Sequence, residues 1–322
     1  MSERQHEQVD ESLLALPRGA DMRVNQEHSE KLVNKEFFLQ MPAEFDNRKL
    51  CVHEYGDPNG PIIISLHGWG ANGRALENVH MNLEGYHIYA PDFPAFGQSE
   101  ALESKNTTFD KYADLVEWLA HTMAEGKKIH AIMGISMGSV IATKLVVERY
   151  REIQRNSIES GIETPDPITK KLVLIGATIN GVQDGRILGN EVMGDIMGAV
   201  FETMPKLPDG VKKVTNVLNS VDMINPALID KQYLDRDIGT SKEATLLAEQ
   251  LSHVDLKGLD YTGFQVGYFH GQNDRYTKPN DIVNHANEIG AEPHIYSKSG
   301  HDVHFDAADM GIAEDMQRFL DS

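Results

Sequence analysis

The chain has 322 residues, 40% hydrophobic, 7% aromatic and 25% charged, enough to bury a substantial core, and its length fits one large domain with an insertion. Its formal net charge of −19 disfavours nucleic acid and anionic membranes as partners, since both require clustered Lys and Arg; acidity on this scale reads as plain solubility. The single cysteine, Cys51, excludes an intramolecular disulfide, and no stretch approaches the ~20 continuous apolar residues of a membrane span.

Residues 1–30 are polar apart from Leu13-Leu14-Ala15-Leu16 and are expected to form a poorly ordered arm. The opening Met1-Ser2-Glu3-Arg4-Gln5-His6 has nothing like a signal peptide, so the expectation is a soluble, cytoplasmic protein. Phe37–Met41 and Lys49–Tyr55 read as a first pair of strands, with Cys51 as a buried structural thiol rather than a nucleophile. Pro61-Ile62-Ile63-Ile64-Ser65-Leu66 is apolar on both faces, as a buried parallel strand should be, and His87–Ala90 is a further strand. Thr107 or Thr108 can cap a helix over Phe109–Met123, where Tyr112, Leu115, Val116 and Leu119 share a face. A strand over Lys128–Met133 and a helix over Met137–Arg151 follow, then a polar excursion over Arg155–Thr169. Lys171–Ile175, Phe264–Phe269 and Pro293–Tyr296 are the remaining strands, and Phe305–Leu320 is the terminal helix. Strands alternating with helices predict an α/β chain with a doubly wound, mostly parallel sheet.

One block breaks the rhythm. Between Thr178 and Gly263 no strand is evident; helical runs over Glu191–Thr203, Val211–Leu218 and Lys242–His253 are separated by Pro205, Pro208 and Pro226. This reads as a helical insertion over one end of the sheet. Its methionines, Met193, Met197, Met204 and Met223, serve either as core filler or as an adaptable apolar wall.

Chemistry concentrates where strands end. Gly134-Ile135-Ser136-Met137-Gly138 lies between a strand and a helix, which predicts a strained turn that lifts the Ser136 hydroxyl above the sheet. A serine needs a base within reach and a carboxylate to fix the tautomer of that base. Ser299-Gly300-His301-Asp302 follows the last strand, so His301 leaves the same sheet edge as Ser136; His304 ranks second, and His130 and His294 fall inside strands. Gly271-Gln272-Asn273-Asp274 places Asp274 on that edge too, with Asp184 as the fallback acid. The oxyanion donors expected are the backbone N–H of Met137, at a helix start, and of Trp69 in His67-Gly68-Trp69-Gly70. His67 itself reads as a brace for that loop rather than as a second base.

These motifs, together with Asp92-Phe93-Pro94-Ala95-Phe96-Gly97-Gln98-Ser99, make the chain resemble the α/β-hydrolase superfamily across residues 36 to 320. The resemblance is to the branch with a helical cap between core strands six and seven. It implies a core of residues 31–177 and 264–322, a cap of residues 178–263, and catalytic Ser136, Asp274 and His301. The His-Gly-Trp-Gly stretch is similar to that of carboxylesterases, including pimeloyl-carrier-protein methyl esterase. Ala95 departs from the glycine that family members often carry there, and Ser136 stands where epoxide hydrolases and haloalkane dehalogenases have aspartate.

The function expected is hydrolysis of short- to medium-chain neutral carboxylic esters through an acyl-enzyme on Ser136. A carbon–carbon-bond hydrolase of ring-cleavage (vinylogous diketone) products is one alternative, and a small-molecule receptor or scaffold on the same fold is another. No cofactor and no metal are expected, because no His/Cys/Asp cluster has ligand spacing. The partner expected is a small-molecule ester, bound by a monomer or homodimer.

Overall fold

The computed structural model describes residues 33–181, 241–274 and 276–322. Eight strands form one sheet: β1 (Val33–Gln40), β2 (Lys49–Gly56), β3 (Ile62–Leu66), β4 (His87–Pro91), β5 (Ile129–Ile135), β6 (Lys171–Ile175), β7 (Gln265–Gly271) and β8 (Pro293–Tyr296). Their spatial order is β1-β2-β4-β3-β5-β6-β7-β8. β1 and β2 pair antiparallel, as do β2 and β4; from β4 onward every pairing is parallel.

The central strands are apolar on both faces because helices cover both. Ile62, Ile64 and Leu66 of β3, with Ile132 of β5 and Leu172 and Leu174 of β6, enter one core. Ile63, Ala131, Met133, Val173 and Ile175, one residue out of phase, enter the other. The first core is covered by α2 (Phe109–Ala124), α3 (Met137–Thr143), α5 (Ser241–Ser252) and α6 (Pro279–Ile289). Against the second lie α1 (Glu77–His80), α7 (Val303–Asp306) and α8 (Ile312–Asp321). Of the two candidate caps for α2, Thr108 takes the role: its hydroxyl accepts from the Lys111 N–H at 3.1 Å.

Two helical expectations need correcting. The helix after Ser136 does not stop near Arg151: α3 passes through a π-helical stretch, Lys144–Glu148, into α4, Arg149–Ser160, which ends at Gly161 in the left-handed region. Leu145, Val146 and Val147 of the π turn are buried in succession, continuing the burial of all of α3. The polar excursion therefore begins inside a helix, where its polarity reflects an exposed surface rather than a loop. The terminal helix is also not continuous. It breaks after α7 through a 3₁₀ turn, Ala308–Met310, and restarts at Gly311, whose φ of 80° caps α8.

Of the expected helical insertion, residues 178–181, α5 and residues 253–263 are described, and they pack on the core. The Gln250 side chain accepts from Phe109 N–H at 3.1 Å and donates to the Thr107 carbonyl at 3.0 Å, pinning α5 to the start of α2. The Leu256 N–H donates to the Ile179 carbonyl at 2.9 Å. The runs over Glu191–Thr203 and Val211–Leu218 and the four methionines lie outside the described residues, as do the N-terminal arm and Asp184.

Candidate active site

Ser136 joins β5 to α3 with φ 49° and ψ −114°, a conformation disfavoured for a residue with a Cβ. The turn closes only because its flanks are glycine. A Cβ on Gly134 would lie 2.4 Å from the Gly138 carbonyl oxygen, and one on Gly138 would lie 2.3 Å from the Leu66 carbonyl oxygen. The Ser139 hydroxyl donates to the Ser136 carbonyl at 2.5 Å and accepts from the Thr178 N–H at 3.1 Å, tying the turn to the end of β6. Most of the turn is buried, while Ser136 itself stays partly exposed.

Three carboxyl-edge loops converge on that hydroxyl. His301 Nε2 lies 2.9 Å from Ser136 Oγ, and His301 Nδ1 lies 2.8 Å from Asp274 Oδ2. A carboxylate only accepts, so Nδ1 carries the proton and Nε2 offers its lone pair to the serine hydroxyl. Asp274 is buried and held from five directions. Oδ1 accepts from the N–H groups of Tyr276 at 2.8 Å and Thr277 at 3.0 Å. Oδ2 accepts from His301, from the Thr277 hydroxyl at 2.9 Å, and faces His270 Nε2 at 3.2 Å. Burial alone would raise the Asp274 pKa; the neighbouring His301 charge and these hydrogen bonds hold it below the usual carboxylate range. Burial likewise works against a charged His301, but the Asp274 carboxylate outweighs it and raises the imidazole pKa.

The loop after β3 passes beside the serine. A Cβ on Gly68 would stand 3.3 Å from Ser136 Cβ, and partly exposed Trp69 follows directly. Met137 opens α3. His67 braces this loop: its Nε2 accepts from the Phe93 N–H at 2.8 Å, so the proton sits on Nδ1, which donates to the Gly68 carbonyl at 2.7 Å. Burial pushes its pKa down to about 4, and both ring nitrogens are engaged, leaving no lone pair for a second base.

A family model described as alpha/beta hydrolase fold matches residues 61–308. The chain belongs to the alpha/beta hydrolase fold family. It is 28% identical to the pimeloyl-[acyl-carrier protein] methyl ester esterase of Shewanella woodyi over 31% of this chain and 35% of that protein. Lipase 1 of Psychrobacter immobilis is also 28% identical, over 52% of this chain and 51% of its own. Among solved structures, the esterase EaEST of Exiguobacterium antarcticum superposes with a TM-score of 0.61 at 20% identity, covering 88% of this chain and 99% of that one. The match spans about a third of the length of the first curated relatives, 35%, 35% and 33%.

In this member of the alpha/beta hydrolase fold family several residues near the site escape a linear reading. Tyr276 packs edge-on against the His301 ring at 5.0 Å. Thr277 and His270 join the shell of Asp274. Asp92 is fully buried, and its carboxylate accepts from the N–H groups of Gly73 at 2.8 Å and Gln98 at 2.7 Å and faces His53 Nε2 at 2.8 Å. It thereby ties the loop after β3 to the loop after β4; an Asp followed by a Gly-containing turn was the available signal. Ala95, in that second loop, holds φ 72°. His130 and His294 stand apart, His130 Nε2 at 2.9 Å from the Leu320 carbonyl oxygen and His294 stacked on Phe269.

Linear spacing also concealed one cluster of metal-ligand type. Glu36, Cys51 and His53 bring one donor atom each within 4.8 Å of one another, because Glu36 is the cross-strand partner of His53 and Cys51 shares its face of β2. His53 Nε2 is already committed to Asp92, and Cys51 is buried. Among the described residues no helix is long and apolar enough to cross a membrane.

Proposed function

We propose that the chain is a serine hydrolase of carboxylic esters. Ser136 is the nucleophile, His301 the general base and then acid, and Asp274 the carboxylate that fixes the His301 tautomer. The observation that carries this reading is the hydrogen-bonded line Asp274–His301–Ser136, at 2.8 and 2.9 Å, ending on a serine in a strained turn. In the reaction, Ser136 Oγ attacks the ester carbonyl carbon as His301 Nε2 takes its proton. The tetrahedral oxyanion is held by the backbone N–H groups of Met137 and Trp69. Collapse expels the alcohol, which receives the proton from His301, and leaves an acyl group on Ser136. Water, deprotonated by the same nitrogen, then attacks the acyl carbon and releases the acid.

Our reading of the substrate is a neutral ester with a short- to medium-chain acyl group, enclosed by a cap of residues 178–263 over a core of residues 31–177 and 264–322. The net charge of −19 argues against a strongly anionic acyl carrier as the physiological alcohol. Rapid mixing with excess p-nitrophenyl butyrate tests the chemistry. The expected result is a burst of about one nitrophenolate per Ser136, lost in Ser136→Ala, followed by slower turnover. Cleavage of a vinylogous diketone without ester turnover would replace this reading with carbon–carbon-bond hydrolysis. Tight binding without turnover of either would make the protein a receptor. For the acyl group, kcat/KM should peak at short to medium length; a steady rise to very long chains with activation at an oil–water interface would overturn the enclosed pocket.

A further inference from the structure

We infer that His270 is a positioning residue, a second histidine whose Nε2–H anchors Asp274 and moderates the pull of that carboxylate on His301. The inference rests on the catalytic reading of Ser136, Asp274 and His301 and adds a residue to it.

His270 occupies the end of β7 and is fully buried. Its Nε2 lies 3.0 Å from the Thr277 carbonyl oxygen, 3.2 Å from Asp274 Oδ2 and 3.4 Å from Thr277 Oγ1. The carbonyl can only accept, so the proton must sit on Nε2, directed into the loop that carries the acid. Its other nitrogen, Nδ1, is buried with no hydrogen-bond partner. Burying an imidazole with one nitrogen unsatisfied is costly, and an apolar side chain would fill the site without that cost. The preceding core-facing positions of the strand, Val266 and Tyr268, are indeed an aliphatic and an aromatic residue. What the imidazole adds is a donor beside Oδ2, the oxygen that holds His301. Burial also lowers the His270 pKa, which keeps the ring neutral beside its acceptors.

The consequence is directional. The Nε2–H is bonded to the Thr277 carbonyl, and its positive end, 3.2 Å from Oδ2, partly offsets the charge of the Asp274 carboxylate and lowers its proton affinity, so less of that charge is felt at His301 Nδ1. Without His270, His301 becomes more basic and remains protonated to higher pH. The titratable groups facing His270 are Asp274 and His301; His301 in turn faces Asp302 and, from α7, His304.

The test compares His270→Leu, which removes the donor, with His270→Gln, whose side-chain amide can restore an N–H near the Nε2 position. The readouts are the His301 titration midpoint by NMR and the acid limb of kcat/KM for p-nitrophenyl butyrate. The expected result for His270→Leu is an upward shift of roughly half a unit, about threefold in rate below the midpoint, with His270→Gln staying near wild type. A folded His270→Leu with an unmoved midpoint, or a His270→Gln displaced as far as the leucine variant, would overturn the inference. If His270→Leu does not fold, nitrogen chemical shifts of the wild-type ring decide: the neutral Nε2–H tautomer across neutral pH supports it, and an Nδ1–H tautomer or an imidazolium overturns it. The NMR midpoint needs no turnover. Wild-type protein inactive on esters would therefore refute the proposed chemistry while leaving His270 judged on its own.

Discussion

Replacing Asp274 by asparagine probes the site most sharply, because the structure dictates how the amide must sit. Oδ1 accepts from two backbone N–H groups, of Tyr276 and Thr277, which have no freedom to turn away. Oδ2 meets the Thr277 hydroxyl and His301, whose hydroxyl proton and ring tautomer can rearrange, and His270, whose Nε2–H already has the Thr277 carbonyl as acceptor. The amide oxygen therefore takes the Oδ1 position and the NH₂ group faces His301. His301 Nδ1 then becomes an acceptor, and its proton moves to Nε2, pointing at Ser136 Oγ. The serine loses its base although every heavy atom stays in place. The precedent for a wrong-tautomer histidine in a serine hydrolase is a loss of about 10⁴ in kcat, or roughly 5 kcal/mol of transition-state stabilisation. Steady-state kcat on p-nitrophenyl butyrate at pH 8 is the assay, with circular dichroism to verify that the fold persists. A folded Asp274→Asn variant within about tenfold of wild type would refute the assignment of the acid and the tautomer argument together.

The remaining predictions concern pH and the two tight turns. As the proposed general base His301 would have to be neutral, and Asp274 raises its pKa above 6.5, so activity should be lost below that raised midpoint and recovered as pH rises through it. In Asp274→Asn the residual activity should show its acid limb at lower pH, and a limb moved upward would contradict the electrostatics. Asp92, whose pKa is lowered by His53 and backbone N–H groups against the cost of burial, contributes stability that is fully present above the ordinary value of 3.8. Its contribution is lost as pH falls through the lowered folded value, so Asp92→Asn should narrow the difference between melting temperatures at pH 7 and pH 3. Gly138→Ala places a methyl group against the Leu66 and His67 carbonyls and should destabilise by about 2 kcal/mol or more in urea unfolding. Ala95→Gly relieves a left-handed alanine worth about 1–2 kcal/mol but removes a buried methyl worth about 0.8 kcal/mol, so it should be neutral to slightly stabilising, whereas Ala95→Val should destabilise.

The amino-acid sequence by itself determined the strands, the turn at Ser136 and the loops that bear its partners. Those features rest on local rules. Ile62–Leu66 and Lys171–Ile175 are short apolar runs that only a doubly covered strand accommodates, and Gly134 and Gly138 mark a backbone too crowded for side chains. Asp274 and His301 could be chosen because each follows a strand, and parallel strands deliver their carboxyl ends to one edge. The sequence could not show which strands are neighbours. Crossovers place β4 between β2 and β3, and so bring Asp92 of one loop against Gly73 of another and His53 of a third element. Nor could it reveal His270, which reads as one more residue of a core strand until Asp274 and Thr277 come to lie beside its ring. The helix ends escaped for a similar reason. A π turn at Lys144–Glu148 keeps the helix running where the apolar period alone suggests an end, and Gly311, at φ 80°, separates two helices that one apolar period joins. Local chemistry therefore fixed each part, while the hydrogen-bonded shell around Ser136, joining residues 165 and 27 positions apart, exists only once the sheet has assembled.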